Sequence, residues 1–263
     1  MPEPLAQQTR PAMSGASRRD RIVRDLEQTG FVSARELTEE LGVSEMTVRR
    51  DLRRLEQEGA LRIVHGGASL PIGIDYQSRG MSEQAAKADI GRFAATLIPP
   101  GSTVLMDAGT TVAQVAQHMP VNFDGYVITH SVPVIESLLE RPDIPVHCLG
   151  GELRAQSRAM IGTSTVESLS KLRAQVLFLG AAAVNERGVF VAKDFESSTK
   201  RAFIESSNRV ILLADHSKFS TFTPVLLAPL SVVHEIVTDR PLPPEMVRVA
   251  DELGIVVHVV NPT

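Results

Sequence analysis

The chain holds a single cysteine, Cys148, in 263 residues. No disulfide can close within one chain, a cysteine-based zinc site is excluded, and a reducing compartment fits. Long apolar runs are missing too. No stretch approaches the roughly 20 residues that a membrane helix needs, and the N-terminal stretch lacks the apolar core of a secretory signal. A soluble, cytoplasmic protein with no membrane partner is expected, with no metal and no organic cofactor. An excess of positive charge is also absent. Lys and Arg total 27 against 31 Asp and Glu, a formal net charge of −4. A nonspecific coat on nucleic acid would show the opposite balance, although a local basic face is enough for site-specific DNA binding. Nor is there an internal repeat. What remains is a hydrophobic content of 43%, ample for a packed core.

The most informative stretch is Leu41 to Glu56. Gly42 breaks one helical pattern, and Ser44 is a good N-cap for the next. Val48, Leu52 and Leu55 recur at helical spacing and predict a buried stripe. Arg49, Arg50, Arg53 and Arg54 fall mostly off it. Upstream, residues 17–28 read as a helix with Ile22, Val23 and Leu26 on one side, ended by Gly30. Ser33 with Glu36 makes a capping box for a second helix, whose inner face is Ala34, Leu37 and Leu41. Phe31-Val32 is expected to pack beneath the domain. Two helices joined by a tight glycine turn make a helix-turn-helix, whose second helix lies in the DNA major groove with its N-terminal residues at base edges. The bland alternative is an amphipathic surface helix with solvated arginines. Against it stands the segment just downstream, with Gly59 as a helix stop, a short β-run over Leu61-Arg62-Ile63-Val64, and a Gly66-Gly67 turn. That addition makes a winged helix.

At this point the chain resembles the DeoR family of bacterial transcription regulators. The residues that carry the resemblance are Val43-Ser44-Glu45-Met46-Thr47-Val48-Arg49-Arg50-Asp51-Leu52 and Val64-His65-Gly66-Gly67-Ala68. Ser44, Glu45, Met46, Thr47, Arg49 and Arg50 are expected at bases or phosphates, with Thr47 and Arg50 foremost. Arg53 and Arg54, deeper along the helix, would touch phosphate or an acidic neighbour such as Glu56 or Glu58. Arg62 and His65 on the wing can reach phosphates or the minor groove, and Arg18, Arg19 and Arg21 from the first helix can brush phosphates.

Residues 1–16 lack periodicity and are expected to be a disordered tail. Residues 17–69 would form the winged helix-turn-helix, predominantly helical, and 70–81 a linker that Tyr76 docks to a neighbouring surface. Residues 82–260 would form an effector-binding and oligomerisation domain, opening on a helix capped by Ser82. After Gly101 the period changes. Short apolar runs begin near Thr103, Gly125, Pro145, Val176, Val210, His234 and Ile255. Helical segments, over 111–118, 132–140, 164–172, 196–206 and 244–253, separate most of them. Strands apolar throughout and alternating with helices predict a mainly parallel sheet covered on both faces, an α/β fold.

In such sheets ligands bind beyond the carboxyl ends of the strands. The loop Asp107-Ala108-Gly109-Thr110-Thr111 feeds a helix N-terminus and suits a phosphate group. Thr129-His130-Ser131 is a second strand-end loop. In Gly150-Gly151-Glu152-Leu153-Arg154 the glycines admit close backbone approach and Arg154 can take an anion. In Asp215-His216-Ser217-Lys218-Phe219, Lys218 supplies a point charge. Each taken alone is also ordinary turn chemistry.

These loops are again similar to the DeoR effector domain, whose fold is related to ribose-5-phosphate isomerase and the CoA-transferase superfamily. The resemblance implies that Gly109, Thr110 and Thr111 hold a phosphate, and that Asp107, Ser131, Gly150, Gly151, Arg154, Lys200 and Lys218 lie near a phosphorylated sugar. The chain departs from the family pattern at His130, Gln175, Ala183 and Ser198. The function implied is a sugar-phosphate-responsive repressor of a carbohydrate operon, acting on double-stranded operator DNA as a symmetric homo-oligomer, a dimer or tetramer. A contrasting reading is an isomerase-like enzyme using Asp107, Glu196, Lys200 and Asp215 for proton transfer. A third is a ligand-insensitive regulator whose large domain only oligomerises.

Overall fold

The computed structural model describes residues 14–29, 31–58, 60–64, 66–69 and 76–260. Residues 1–13 of the expected tail lie outside them, as do Gly30, Gly59, His65 and positions 70–75 of the expected linker. The chain divides into two compact units between Pro71 and Ile72.

The first unit runs α1 (Gly15–Thr29), β1 (Phe31–Ser33), α2 (Ala34–Leu41), α3 (Glu45–Gln57), β2 (Arg62–Val64) and β3 (Gly67–Ser69). Gly15 and Ala16, expected in the tail, are helical. Ser33 caps α2 by accepting from the Glu36 amide at 3.4 Å. Gly42 ends α2 at φ +63°, a left-handed cap that glycine adopts without steric cost. Phe31–Ser33, expected only as packing, is a strand. It pairs antiparallel with β3, which also pairs with β2, so the wing is a three-stranded sheet. Ile22, Leu26, Leu37, Val48, Leu52, Leu55 and Leu61 close the core, all at most 4% exposed.

The second unit opens with α4 (Tyr76–Met81), a helix where a linker was expected, and α5 (Gln84–Ala95). Ser82 is not the α5 cap; that position is Glu83, at φ +51°. Next come β4 (Thr103–Met106), α6 (Thr110–Gln117), β5 (Tyr126–Thr129), α7 (Val132–Leu139), β6 (Val146–Cys148), β7 (Glu152–Arg154), β8 (Ala159–Ile161) and α8 (Thr163–Leu169). The chain continues through β9 (Ala174–Gly180), β10 (Ala183–Asn185), β11 (Gly188–Val191), α9 (Ser197–Glu205), β12 (Ser207–Leu213), β13 (Val225–Ala228), β14 (Glu235–Thr238), α10 (Pro244–Leu253) and β15 (Val256–Val259).

All seven expected apolar runs meet in one sheet, ordered β15-β14-β12-β9-β4-β5-β6 and parallel at every pairing. Alternation along the strands sorts their side chains to two faces. Leu105, Ile128, Leu177, Leu179, Leu212 and Ile236 join Phe203 of α9 and Met246 of α10 in one core. Val104, Met106, Val127, Phe178, Ile211 and Leu213 join Ile90 of α5, Val112 of α6 and Val134 of α7 in the other. Two small antiparallel sheets, β7-β8 and β10-β11-β13, were not anticipated.

The strand order reverses between β4 and β9. Successive strands spread from there toward β6 on one side and β15 on the other. That point is where an open parallel sheet leaves a crevice at its carboxyl edge. Asp107 follows β4 and Gly180 ends β9, so both stand at the crevice.

Candidate functional site

In the first unit the exposed face of α3 is built from its cap outward. Ser44 accepts from the Thr47 amide at 3.3 Å, and the two hydroxyls lie 2.9 Å apart. Val48, Asp51, Leu52 and Leu55 turn inward. Asp51 is the surprise on that stripe. It is 5% exposed and held by Arg18 at 2.5 Å and Arg19 at 3.6 Å. Those two arginines, expected at phosphates, instead tie α1 to α3, and Arg21 faces Asp25 at 3.6 Å. Glu45, Met46, Arg49, Arg50, Arg53 and Arg54 are exposed, while Thr47 is half-buried. Arg49 donates to Glu45 at 2.9 and 2.7 Å, and Arg54 to Glu58 at 3.1 Å. Arg62 is exposed on β2, and the neighbouring Ile63 amide donates to Glu56 at 2.8 Å, which pins the wing to α3. Arg35, Arg49 and Arg53 line a groove of about 270 Å³ together with Glu45, Leu52 and Ile63, among others. Arg35 was missed from sequence because its own helix is not the basic one.

In the second unit the crevice is centred on Asp107, which is fully buried. Lys200 Nζ donates to its Oδ2 in a short ion pair, and the Gly180 amide donates to the same oxygen at 3.0 Å. Burial pushes the Asp107 carboxyl up, and Lys200 together with the adjoining His130 ring draws it down further, to about 2. His130 closes the cluster. Its Nδ1 donates to the Met160 carbonyl at 2.7 Å, which leaves Nε2 to accept from the Ala108 amide at 3.1 Å. In that tautomer the 3.4 Å approach of Nε2 to Asp107 is a contact between two acceptors rather than a hydrogen bond. The ring also packs on Phe203, centroids 4.7 Å apart. A small cleft here is lined by Ala108, His130, Glu196 and Lys200.

A larger cleft, about 570 Å³, is lined by Tyr76, Gln84, Lys87, Thr110, Gln114 and Arg158, among others. Thr110 alone of these was expected. Lys87 is 3% exposed and donates to the carbonyls of Arg79 and Ser82, at the end of α4. Burial lowers its ammonium to about 8, against the opposing pull of Asp215. Arg158 takes φ +50°, pairs with Glu136 at 2.8 Å and lies over the Tyr76 ring at 5.8 Å. The Tyr76 amide donates to the Gln156 carbonyl at 2.8 Å. Lys218 stands 3.7 Å from Asp215 Oδ2, a buried oxygen with no hydrogen-bond partner among the described residues. Burial pushes the Asp215 carboxyl up, and Lys218 and Lys87 draw it below its ordinary value.

The other expected ligand residues have these partners within the unit. Ser131 is fully buried and caps α7, accepting from the Val134 amide at 3.5 Å. Thr111 is buried in the first turn of α6, and Gly109 is its N-cap. Gly151 does not make room for a ligand. A Cβ there would lie 2.2 Å from Thr165 Oγ1 and 2.6 Å from the Ile161 carbonyl, so it makes room for β8 and α8. Gly150 is exposed, and its carbonyl accepts from Thr165 at 2.7 Å. Arg154 is exposed on β7, 3.0 Å from Glu152 and 5.2 Å above the Phe195 ring. Of the family departures, Gln175 accepts from the Thr103 amide at 2.7 Å, and Ser198 is exposed on α9.

Comparison with known proteins respects the same two units. Residues 18–71 match the model of the DeoR-like helix-turn-helix domain, and residues 82–240 that of the DeoR C terminal sensor domain. The chain is 34% identical over 241 residues to the glycerol-3-phosphate regulon repressor of Escherichia coli (strain K12), covering 90% of this chain and 96% of that protein. It is 34% identical over 219 residues to the HTH-type transcriptional repressor GlcR of Bacillus subtilis (strain 168), covering 82% and 84%. Among solved structures, eIF2B beta from Chaetomium thermophilum aligns with a TM-score of 0.45 at 15% identity, over 85% of this chain and 79% of that one. Ribose 5-phosphate isomerase A from Methanocaldococcus jannaschii aligns with a TM-score of 0.38 at 17% identity, over 52% and 54%. Likenesses this distant bear on neither substrate nor chemistry.

Proposed function

The chain belongs to the DeoR family of transcriptional regulators, and from that premise we propose that it is a repressor of a carbohydrate operon whose grip on operator DNA responds to a phosphorylated sugar. The DNA reader is the exposed face of α3 with the wing, and residues 17–69 are its domain. Two copies in a symmetric oligomer would set two α3 helices on the half-sites of an operator. Such an activity places the protein with the chromosome in the cytoplasm.

One observation carries the sensor half of the reading. Lys87 is a buried ammonium held by backbone carbonyls at the wall of a cleft that also receives Thr110, Gln84 and Arg158. Buried charge is costly unless a partner of opposite sign meets it. Asp215 offsets part of that cost, and a phosphate dianion in this cleft supplies a further partner, with the α6 N-terminus behind Thr110 adding its dipole. Lys218 extends the positive field. The unpartnered Asp215 Oδ2 is an acceptor of the kind that a sugar hydroxyl satisfies.

An isomerase reading has less support. A general base works best with a pKa near the operating pH. Asp107 is instead drawn well below its ordinary value by Lys200 and its neighbours, which does not suit that role. A pentose-phosphate isomerase assay is expected to show no turnover.

The test is thermal unfolding against sugar phosphates, each paired with its unphosphorylated sugar. A native-state ligand raises stability by RT ln(1 + [L]/Kd), about 2.7 kcal/mol at a hundredfold excess over Kd. A stabilising ligand that requires its phosphate is expected, and Lys87→Gln should abolish the response. Equal responses to the free sugars, or none across the panel, would sink the sensing half and leave the DNA-reading half standing.

A further inference from the structure

The first turn of α3 divides its side chains unevenly. Ser44 and Thr47 satisfy each other at the cap, and Glu45 holds Arg49. Met46 does neither. It is 80% exposed, one of the most exposed large apolar residues described, and it belongs to none of the hydrophobic clusters. On a helix it lies next to the residues three and four ahead, Arg49 and Arg50. It is therefore an apolar tip in the first turn, N-terminal to two arginines, at the end of the helix that enters the groove first. In the major groove only thymine among the four bases offers an apolar group, its C5-methyl. Methionine is unbranched and polarisable, and it adapts to such a contact without strain.

We propose that Met46 reads sequence by packing its thioether side chain on the methyl group of a thymine in each operator half-site. This rests on the assignment of α3 as the DNA reader. The flanking arginines hold the helix to the duplex, and the methionine discriminates. Glu45 keeps the Arg49 guanidinium along the helix surface, which leaves the tip of Met46 clear to descend to the base pair.

The experiment uses the full-length chain and a duplex enriched from a randomised pool by binding to it. Each thymine is then replaced singly by deoxyuridine, which removes only the methyl group. Wild type should lose affinity about fourfold at one thymine per half-site, the effect of uncovering one methyl at about 0.8 kcal/mol. Met46→Ala should bind the thymine and deoxyuridine duplexes equally at that position and match wild type elsewhere. The residue is exposed, so the variant keeps its fold, which circular dichroism verifies. A thymine whose methyl matters equally to both proteins, or a wild type indifferent to every replacement, overturns the assignment of Met46 alone. A pool from which nothing is enriched overturns the DNA-reading assignment of α3 as well.

Discussion

Asp107 and Lys200 show how one residue's role changes once its neighbours are known. Sequence placed both near a ligand, whereas the structure spends them on each other inside the crevice. Removing one partner strands the other charge in a dry site, at a cost of about 3–5 kcal/mol. Asp107→Asn is therefore expected to destabilise the second unit by about 3 kcal/mol, measured by urea unfolding. The pH dependence has a definite sign. The folded-state carboxyl sits at about 2, below its ordinary value. The stabilisation is fully present above about pH 4 and drains as pH falls toward 2. Wild type should lose stability across that window more steeply than Asp107→Asn. Lys87 gives the complementary case. Its ammonium is lowered to about 8 by burial, so anion affinity should fall as pH rises through 8. Calorimetric titration of the stabilising sugar phosphate should show that fall in wild type and no binding at any pH in Lys87→Gln. A sequence signal for Lys87 does exist. It precedes Ile90 by three residues and Ala94 by seven, so a lysine sits on the buried stripe of α5, a position that lysine seldom takes without a partner.

At the scale of elements, the caps and turns were the most readable features. Ser33, Gly42 and Ser44 act within a few residues, so local chemistry suffices to place them. Ser44→Ala should cost the first unit about 1 kcal/mol through the lost Thr47 contact, seen as an earlier thermal transition. Gly151 is the opposite kind of residue. Its need for glycine comes from Ile161 and Thr165, which sequence does not place beside it, and from φ +151°. Gly151→Ala should destabilise the second unit by about 3 kcal/mol. Mere weakening of ligand binding with unchanged stability would restore the ligand reading of that turn. Gly91 is alike: a Cβ there would lie 2.3 Å from Gln114 Cβ, so its absence lets α5 cross α6 closely. The small antiparallel sheets escaped detection because no helix separates β7 from β8 or β10 from β11, so the strand–helix alternation that marked the seven longer-range runs is missing there.

For the whole molecule, charge separates the two functions. The net charge of −4 would repel DNA if spread evenly, so the proposed reading assigns binding to the local face of α3 and the groove lined by Arg35, Arg49 and Arg53. Operator affinity should then fall steeply with salt through counterion release. If Arg35 meets a phosphate in the complex, replacing it by alanine should shrink the slope by about one. Fluorescence anisotropy across a salt series checks both, and a flat response would remove the basic-face account. The sequence by itself determined what depends on neighbours along the chain: the helix-turn-helix, its caps, the seven strands, their parallel pairing through intervening helices, and the loops at their carboxyl ends. Which of those loops meet was decided only by strand order. Placing β9 beside β4 brought Gly180 to Asp107 and set the crevice at that junction. The packing of α4 and α5 then brought Tyr76 and Lys87 to the wall beside Thr110. A ligand site joins residues far apart in sequence, and no local periodicity encodes that distance.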